Sequence, residues 1–140
     1  MSNKHTATLP DGSIAKRTSE NKTYSHCVAY RVPQAVRVER HLRDADYLGF
    51  QAERHEAVAS GAKPLPADAI KWGWTVEKYA NWATDLRSRE AGFRAEAAAV
   101  DSDGPWKVAG WQSRYDLAVK AQARETKFGH ETVILTVEVK

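Results

Sequence analysis

The run Thr23-Tyr24-Ser25-His26-Cys27-Val28-Ala29-Tyr30-Arg31-Val32, stopped by Pro33, decides the fold class. It is rich in β-branched and aromatic residues and holds no glycine, so it reads as a strand. Successive strand side chains point to opposite faces. Tyr24, His26, Val28, Tyr30 and Val32 therefore share one face, and Ser25, Cys27, Ala29 and Arg31 the other. Pro33 ends the strand and suits the first turn of a helix.

Toward the N-terminus, Thr6–Leu9 and Ser13–Arg17 flank Pro10-Asp11-Gly12. Asp-Gly tolerates the positive φ of a tight turn, so this segment predicts a hairpin. Thr18 to Lys22 is a second polar turn. Toward the C-terminus, Val38, Leu42, Ala45, Gly49 and Ala52 recur at helical spacing, and Gly61 is a helix stop. Lys63-Pro64-Leu65-Pro66 is a stiff bend between helices. Thr75 is placed to cap a second long helix whose inner face is Tyr79, Trp82, Leu86, Phe93 and Ala97. Asp101 to Pro105 ends it, and Trp106–Trp111 is a short strand. Ser113 reads as the cap of a shorter third helix, with Asp116 in its first turn. After the turn Phe128-Gly129-His130, Thr132–Lys140 alternates Val133, Leu135, Val137 and Val139 against polar residues.

The order β-β-β-α-α-β-α-β predicts an α+β fold. Its antiparallel sheet has about four to five strands, with two long helices and one shorter helix packed on one face. The apolar C-terminal strand is expected to lie centrally. The chain has 140 residues, a net charge of +3 and 28% charged against 42% hydrophobic residues, which suits a single domain over 1–140. No window approaches the roughly 18 apolar residues of a membrane span, and Met1 to Leu9 carries no apolar signal core. A single cysteine, Cys27, excludes an internal disulfide and a multi-cysteine zinc site. A cytoplasmic setting is the expectation.

Charge is distributed unevenly. Residues 1–43 hold eight Lys/Arg against three acids, whereas residues 44–140 hold thirteen against fifteen. A basic first third favours an anionic partner, a nucleotide or nucleic acid, or else is a solvated face. Rings that take a base and cations that take phosphate are the chemistry of nucleotide recognition. Arg17, Lys22, Tyr24, His26, Tyr30 and Arg31 are therefore the candidate ligand residues. The alternative is that Tyr24, His26 and Tyr30 form the sheet's core face. Trp72 and Trp74, on either side of Gly73, cannot share one helical face, so one ring is expected at the surface as an interface anchor. Arg87, Arg89, Arg94 and Arg114 form a second cationic set, which Glu90 and Glu96 can neutralise.

No catalytic signature of the GxSxG, P-loop, GxGxxG or HExxH kind occurs. His26 and Cys27 are adjacent strand residues whose side chains diverge, so His26 cannot activate the thiol, and Cys27 reads as a buried core residue. The histidines at 5, 26, 41, 55 and 130 show no metal-ligand spacing. The expectation is a non-enzymatic binding protein with no cofactor or metal. Its alternative is a protein-interaction module that holds a host protein or a second copy of itself.

Two stretches carry a family resemblance. Leu9-Pro-Asp-Gly-Ser-Ile-Ala-Lys-Arg-Thr-Ser19, continued by Thr23-Tyr-Ser-His-Cys-Val28, resembles the opening of small proteins carried by actinobacterial phages and their hosts. Val108-Ala-Gly-Trp-Gln-Ser-Arg-Tyr-Asp-Leu-Ala118 resembles a segment nearer their C-terminus. The resemblance implies a mobile-element accessory protein, of a kind that often inhibits host defence without catalysis. It assigns no residue a role.

Overall fold

The computed structural model describes residues 2–140, and the fold is α+β. The chain divides into two compact units, residues up to Val36 with Ser102–Lys140, and Arg37–Asp101. This differs in detail from the expected single sheet covered by three helices. The strands form two three-stranded antiparallel sheets, and the long helices have a unit of their own.

The sheet unit contains β1 (Asn3–Thr8), β2 (Ile14–Ser19), β3 (His26–Arg31), β4 (Lys107–Gln112), α4 (Tyr115–Lys127), β5 (Glu131–Thr136) and β6 (Glu138–Val139). The expected hairpin joins β1 to β2. Gly12 turns at φ +89°, and Asp11 Oδ1 accepts from the Ser13 amide at 2.9 Å and its hydroxyl at 2.6 Å. Strand orders are β2-β1-β6 and β4-β3-β5. The C-terminal strand is thus not central. It breaks at Val137 and lies at the edge of both sheets, while β3 holds the middle of its own. The physical reason lies in β3, where Cys27, Val28 and Ala29 are all 0% exposed. A strand with both faces dry must have a layer on each side. Cys27 packs with Ala7 of β1, Val137, Trp111 and Leu135 between the two sheets. Val28 packs with Ile134 and with Ala118 and Ala121 of α4 on the other face.

Ser113 does not cap α4. Arg114 is the N-cap and makes no side-chain cap bond, while the Ser113 carbonyl accepts from Ser25 Oγ at 3.0 Å. Buried His5 ties the unit internally. The Arg17 carbonyl can only accept, so His5 Nδ1 donates to it at 3.3 Å, and Nε2 accepts the Tyr24 amide at 3.1 Å. That pair of bonds fixes the Nδ1–H tautomer. A clasp closes the β3 exit: the Gly104 amide donates to the Val32 carbonyl at 2.7 Å, and the Gln34 amide to Asp103 Oδ1 at 2.8 Å.

The helical unit holds α2 (Ala67–Lys71), α3 (Val76–Ala99) and all but the first turn of α1 (Gln34–Ala59). Ala45, Gly49 and Ala52 of the expected α1 stripe are buried, together with Leu48 and Val58, whereas Leu42 is exposed and Val38 half-buried, because the buried contacts of α1 begin only at Ala45. Gly61 adopts φ +84° just beyond α1, and the Thr75 side chain accepts the Lys78 amide at 3.2 Å. The one-turn helix α2 went unforeseen, because a five-residue segment shows no periodicity.

A charge ladder binds α1 to α3. Arg87 Nη2 contacts Glu56 Oε1 at 2.6 Å, and its Nη1 contacts Glu90 Oε1 at 2.9 Å. Arg94 Nη2 bridges Glu90 Oε2 at 2.9 Å and Asp46 Oδ1 at 3.0 Å. Hydrogen bonds from Arg87 and then Arg94 hold the Glu90 carboxyl below the ordinary carboxylate range. Gly49 makes room for this carboxylate, since a Cβ there would collide with it. Alanine at a helical glycine ordinarily adds about 1 kcal/mol. Gly49→Ala is therefore expected to stabilise a Glu90→Ala protein by about that amount and to destabilise the native chain. Urea unfolding of the four proteins tests this reversal of sign. Stabilisation in both backgrounds would show that the carboxylate yields freely.

Candidate functional site

A cavity of about 850 Å³ opens within the helical unit. Gln51, Arg54, His55 and Val58 of α1 form one wall, and Trp82, Asp85, Leu86 and Arg89 of α3 form another. Both sets run i, i+3, i+4, i+7, the spacing that aligns residues on one helical face. Lys63, Pro64, Pro66 and Trp74 close one end, beside Tyr79. Two prolines stiffen this connector, and Trp74, whose amide donates to the Ala69 carbonyl at 2.8 Å, packs against Trp82.

The rings brace one another edge to face. Trp74 and Trp82 lie 5.0 Å apart at 88°, and Tyr79 and Trp82 5.2 Å apart at 78°. Lys78 Nζ sits 5.6 Å from the Trp74 ring and 5.2 Å from the Trp82 ring, so one cation holds both indoles. His55 meets Trp82 at 5.8 Å and Tyr79 at 5.4 Å. Its Nδ1 donates to the Gln51 carbonyl at 2.8 Å, which leaves Nε2 as the acceptor of the neutral ring. The rim carries exposed Arg54, Lys63 and Arg89 against one exposed acid, Asp85. None of the three cations is held in an ion pair among the described residues; Arg54 lies 5.9 Å from the Phe50 ring. An apolar, ring-lined hollow with a positive rim suits a flat anion.

The residues singled out in the basic N-terminal third are dispersed within the sheet unit. Tyr24 precedes β3 and is buried, its ring 5.0 Å from His5, with the Arg17 guanidinium 5.1 Å above it. Lys22 is exposed on the turn after β2. His26 and Tyr30 lie on the β3 face that α4 covers. His26 packs 5.4 Å from Tyr115 and bonds Ser25 Oγ at 2.7 Å, and Tyr30 stacks on His130 at 5.0 Å. Arg31 is engaged by Glu131 at 2.7 Å, by Asp103 at 3.4 Å and by the Trp106 ring at 4.9 Å. The structure brings Arg17 to Tyr24 and gathers no further members of this set around an opening. Trp74 enters the cavity wall, and Trp72 is 59% exposed beside it at 4.9 Å. Arg87 and Arg94 belong to the ladder, Arg114 pairs with Asp116, and Arg89 reaches the rim.

The cavity residues His55, Gln51, Arg54, Lys63 and Asp85 are not among those the sequence singles out. The signal was present in the matched spacings of 51/54/55/58 and 82/85/86/89. The sequence does not say that those two faces oppose each other.

The site and fold thus define an α+β protein with a ring-lined hollow in its helical unit. No family model matches the chain, and no curated protein or solved structure shows significant similarity to it. Among the described residues, no helix is long and apolar enough to cross a membrane.

Proposed function

We propose that this chain is a binding protein, not a catalyst, which holds a nucleotide-type anion in the cavity of the helical unit. The observation that carries the reading is the pairing of the Trp74–Trp82 wall with three unpaired rim cations. Indole faces take a base, and Arg54, Lys63 and Arg89 take phosphate. A volume of about 850 Å³ is ample for a mononucleotide. The ligand class is the one expected from the sequence, and its seat moves from the N-terminal strand to the helices. The family resemblance adds a mobile-element accessory role, in which sequestering such a ligand opposes a host defence.

Titration with AMP, GMP, CMP and UMP, followed by tryptophan fluorescence, tests the reading. Saturable quenching is expected for at least one, weakened about tenfold by Arg54→Glu or Arg89→Glu. Absence of a response to all four removes the proposal. A short oligonucleotide serves as control: many phosphate contacts would give a steep loss of affinity with salt, a mononucleotide a shallow one.

A second reading, an interaction module for a host protein or a second copy of the chain, is favoured by Ile70 and Trp72. They are 64% and 59% exposed. Large apolar side chains left in water are common anchors of interfaces.

A further inference from the structure

The hydrogen bonding of His55 points to how the cavity selects its ligand, if it holds a nucleotide as proposed above. The ring lines the hollow between Trp82 and Tyr79. Nδ1 is committed to the Gln51 carbonyl one turn back along α1, and that oxygen can only accept. The proton of the neutral ring therefore sits on Nδ1, and Nε2 presents a lone pair. No described residue donates to Nε2. The hollow thus holds a directional acceptor on a ring fixed by its neighbours, set among aromatic walls whose own attraction for a ring is indifferent to its substituents. The rim supplies charge but cannot distinguish one nucleotide from another. Asp85 and Gln51 also line the hollow, but His55 is the acceptor that lies among the rings that would hold a base.

We propose that His55 is the specificity-determining residue of this cavity, its Nε2 accepting a hydrogen bond from an N–H on the edge of a planar ligand, as an aminopurine nucleotide provides. A site built to accept such a bond rejects an isostere that lacks the donor, because the acceptor loses its water without recompense.

AMP and purine riboside 5′-monophosphate differ only in the 6-amino group, so they isolate the interaction. The native chain is expected to bind AMP about tenfold more tightly, the worth of one net hydrogen bond. His55→Phe, which keeps a flat ring, is expected to bind both alike. The comparison in the native chain needs no variant, so a folding defect in His55→Phe does not obscure it. The 15N resonance of Nε2 gives an independent signature and should shift on addition of AMP and not of purine riboside monophosphate. Equal binding of the pair by the native chain overturns the role of His55 and leaves the cavity reading intact. If neither binds while another mononucleotide does, the aminopurine assignment falls. If no mononucleotide binds, both readings fall together.

Discussion

Replacing His5 by alanine is expected to cost about 3 kcal/mol of stability, a large share of what a domain this size possesses. The imidazole is fully buried and joins three segments: it sits on β1, donates to the Arg17 carbonyl on β2, and accepts the Tyr24 amide on the approach to β3. Alanine leaves a buried N–H with no acceptor, worth about 1–3 kcal/mol, and opens a cavity that adds to it. His5→Phe refills most of the space and restores neither bond, so it is expected to cost about 2 kcal/mol. Urea unfolding ranks the three chains. A His5→Ala protein within about 1 kcal/mol of the native chain would show that the Tyr24 amide finds another partner, and that the link between these segments is dispensable.

The second large effect concerns Cys27. Burial between the sheets pushes its thiol up to about 11. The reactive species is the thiolate, so at pH 8 the native thiol is expected to react with a disulfide reagent about a hundredfold more slowly than in denaturant. The same shift has a thermodynamic side. A folded-state value raised above the unfolded one contributes stability that is complete below the ordinary thiol range and is lost as pH rises toward 11. Cys27→Ala should therefore show a smaller fall in melting temperature between mild and strong alkali than the native chain. Equal reactivity in the folded and unfolded proteins would place Cys27 in water and contradict the layered arrangement around β3.

Local signals read well because they are satisfied by neighbours in sequence. Asp11-Gly12 needs only its own turn, Thr75 only the amide of Lys78, and the 45/49/52 stripe only helical periodicity. What the sequence left open was which partner each face meets. The alternation of Tyr24, His26, Val28 and Tyr30 describes a face equally well whether a helix or a ligand covers it. The continuous burial of Cys27, Val28 and Ala29 depends on β1, Val137 and α4, which are distant in sequence. Arg31, a candidate ligand residue in sequence, meets Asp103 and Glu131, which arrive from the other end of the chain. The cavity stayed hidden for the same reason. Each wall is an ordinary helical repeat, and only their opposition makes a site.

The hydrogen-bonded clasp at Val32–Gly104 and Gln34–Asp103 makes the sheet unit a host interrupted by a guest. The polypeptide departs after β3 and comes back before β4 at nearly the same point, and these two strands are paired neighbours. The guest Arg37–Asp101 is compact in itself, and the ladder within it joins α1 to α3 across 31 and 48 positions of chain. The clasp closes this long loop at its neck, within the sheet unit, where the entropy of closure falls. The whole segment thereby takes the place that a short turn has in an ordinary hairpin, between two strands that pair directly.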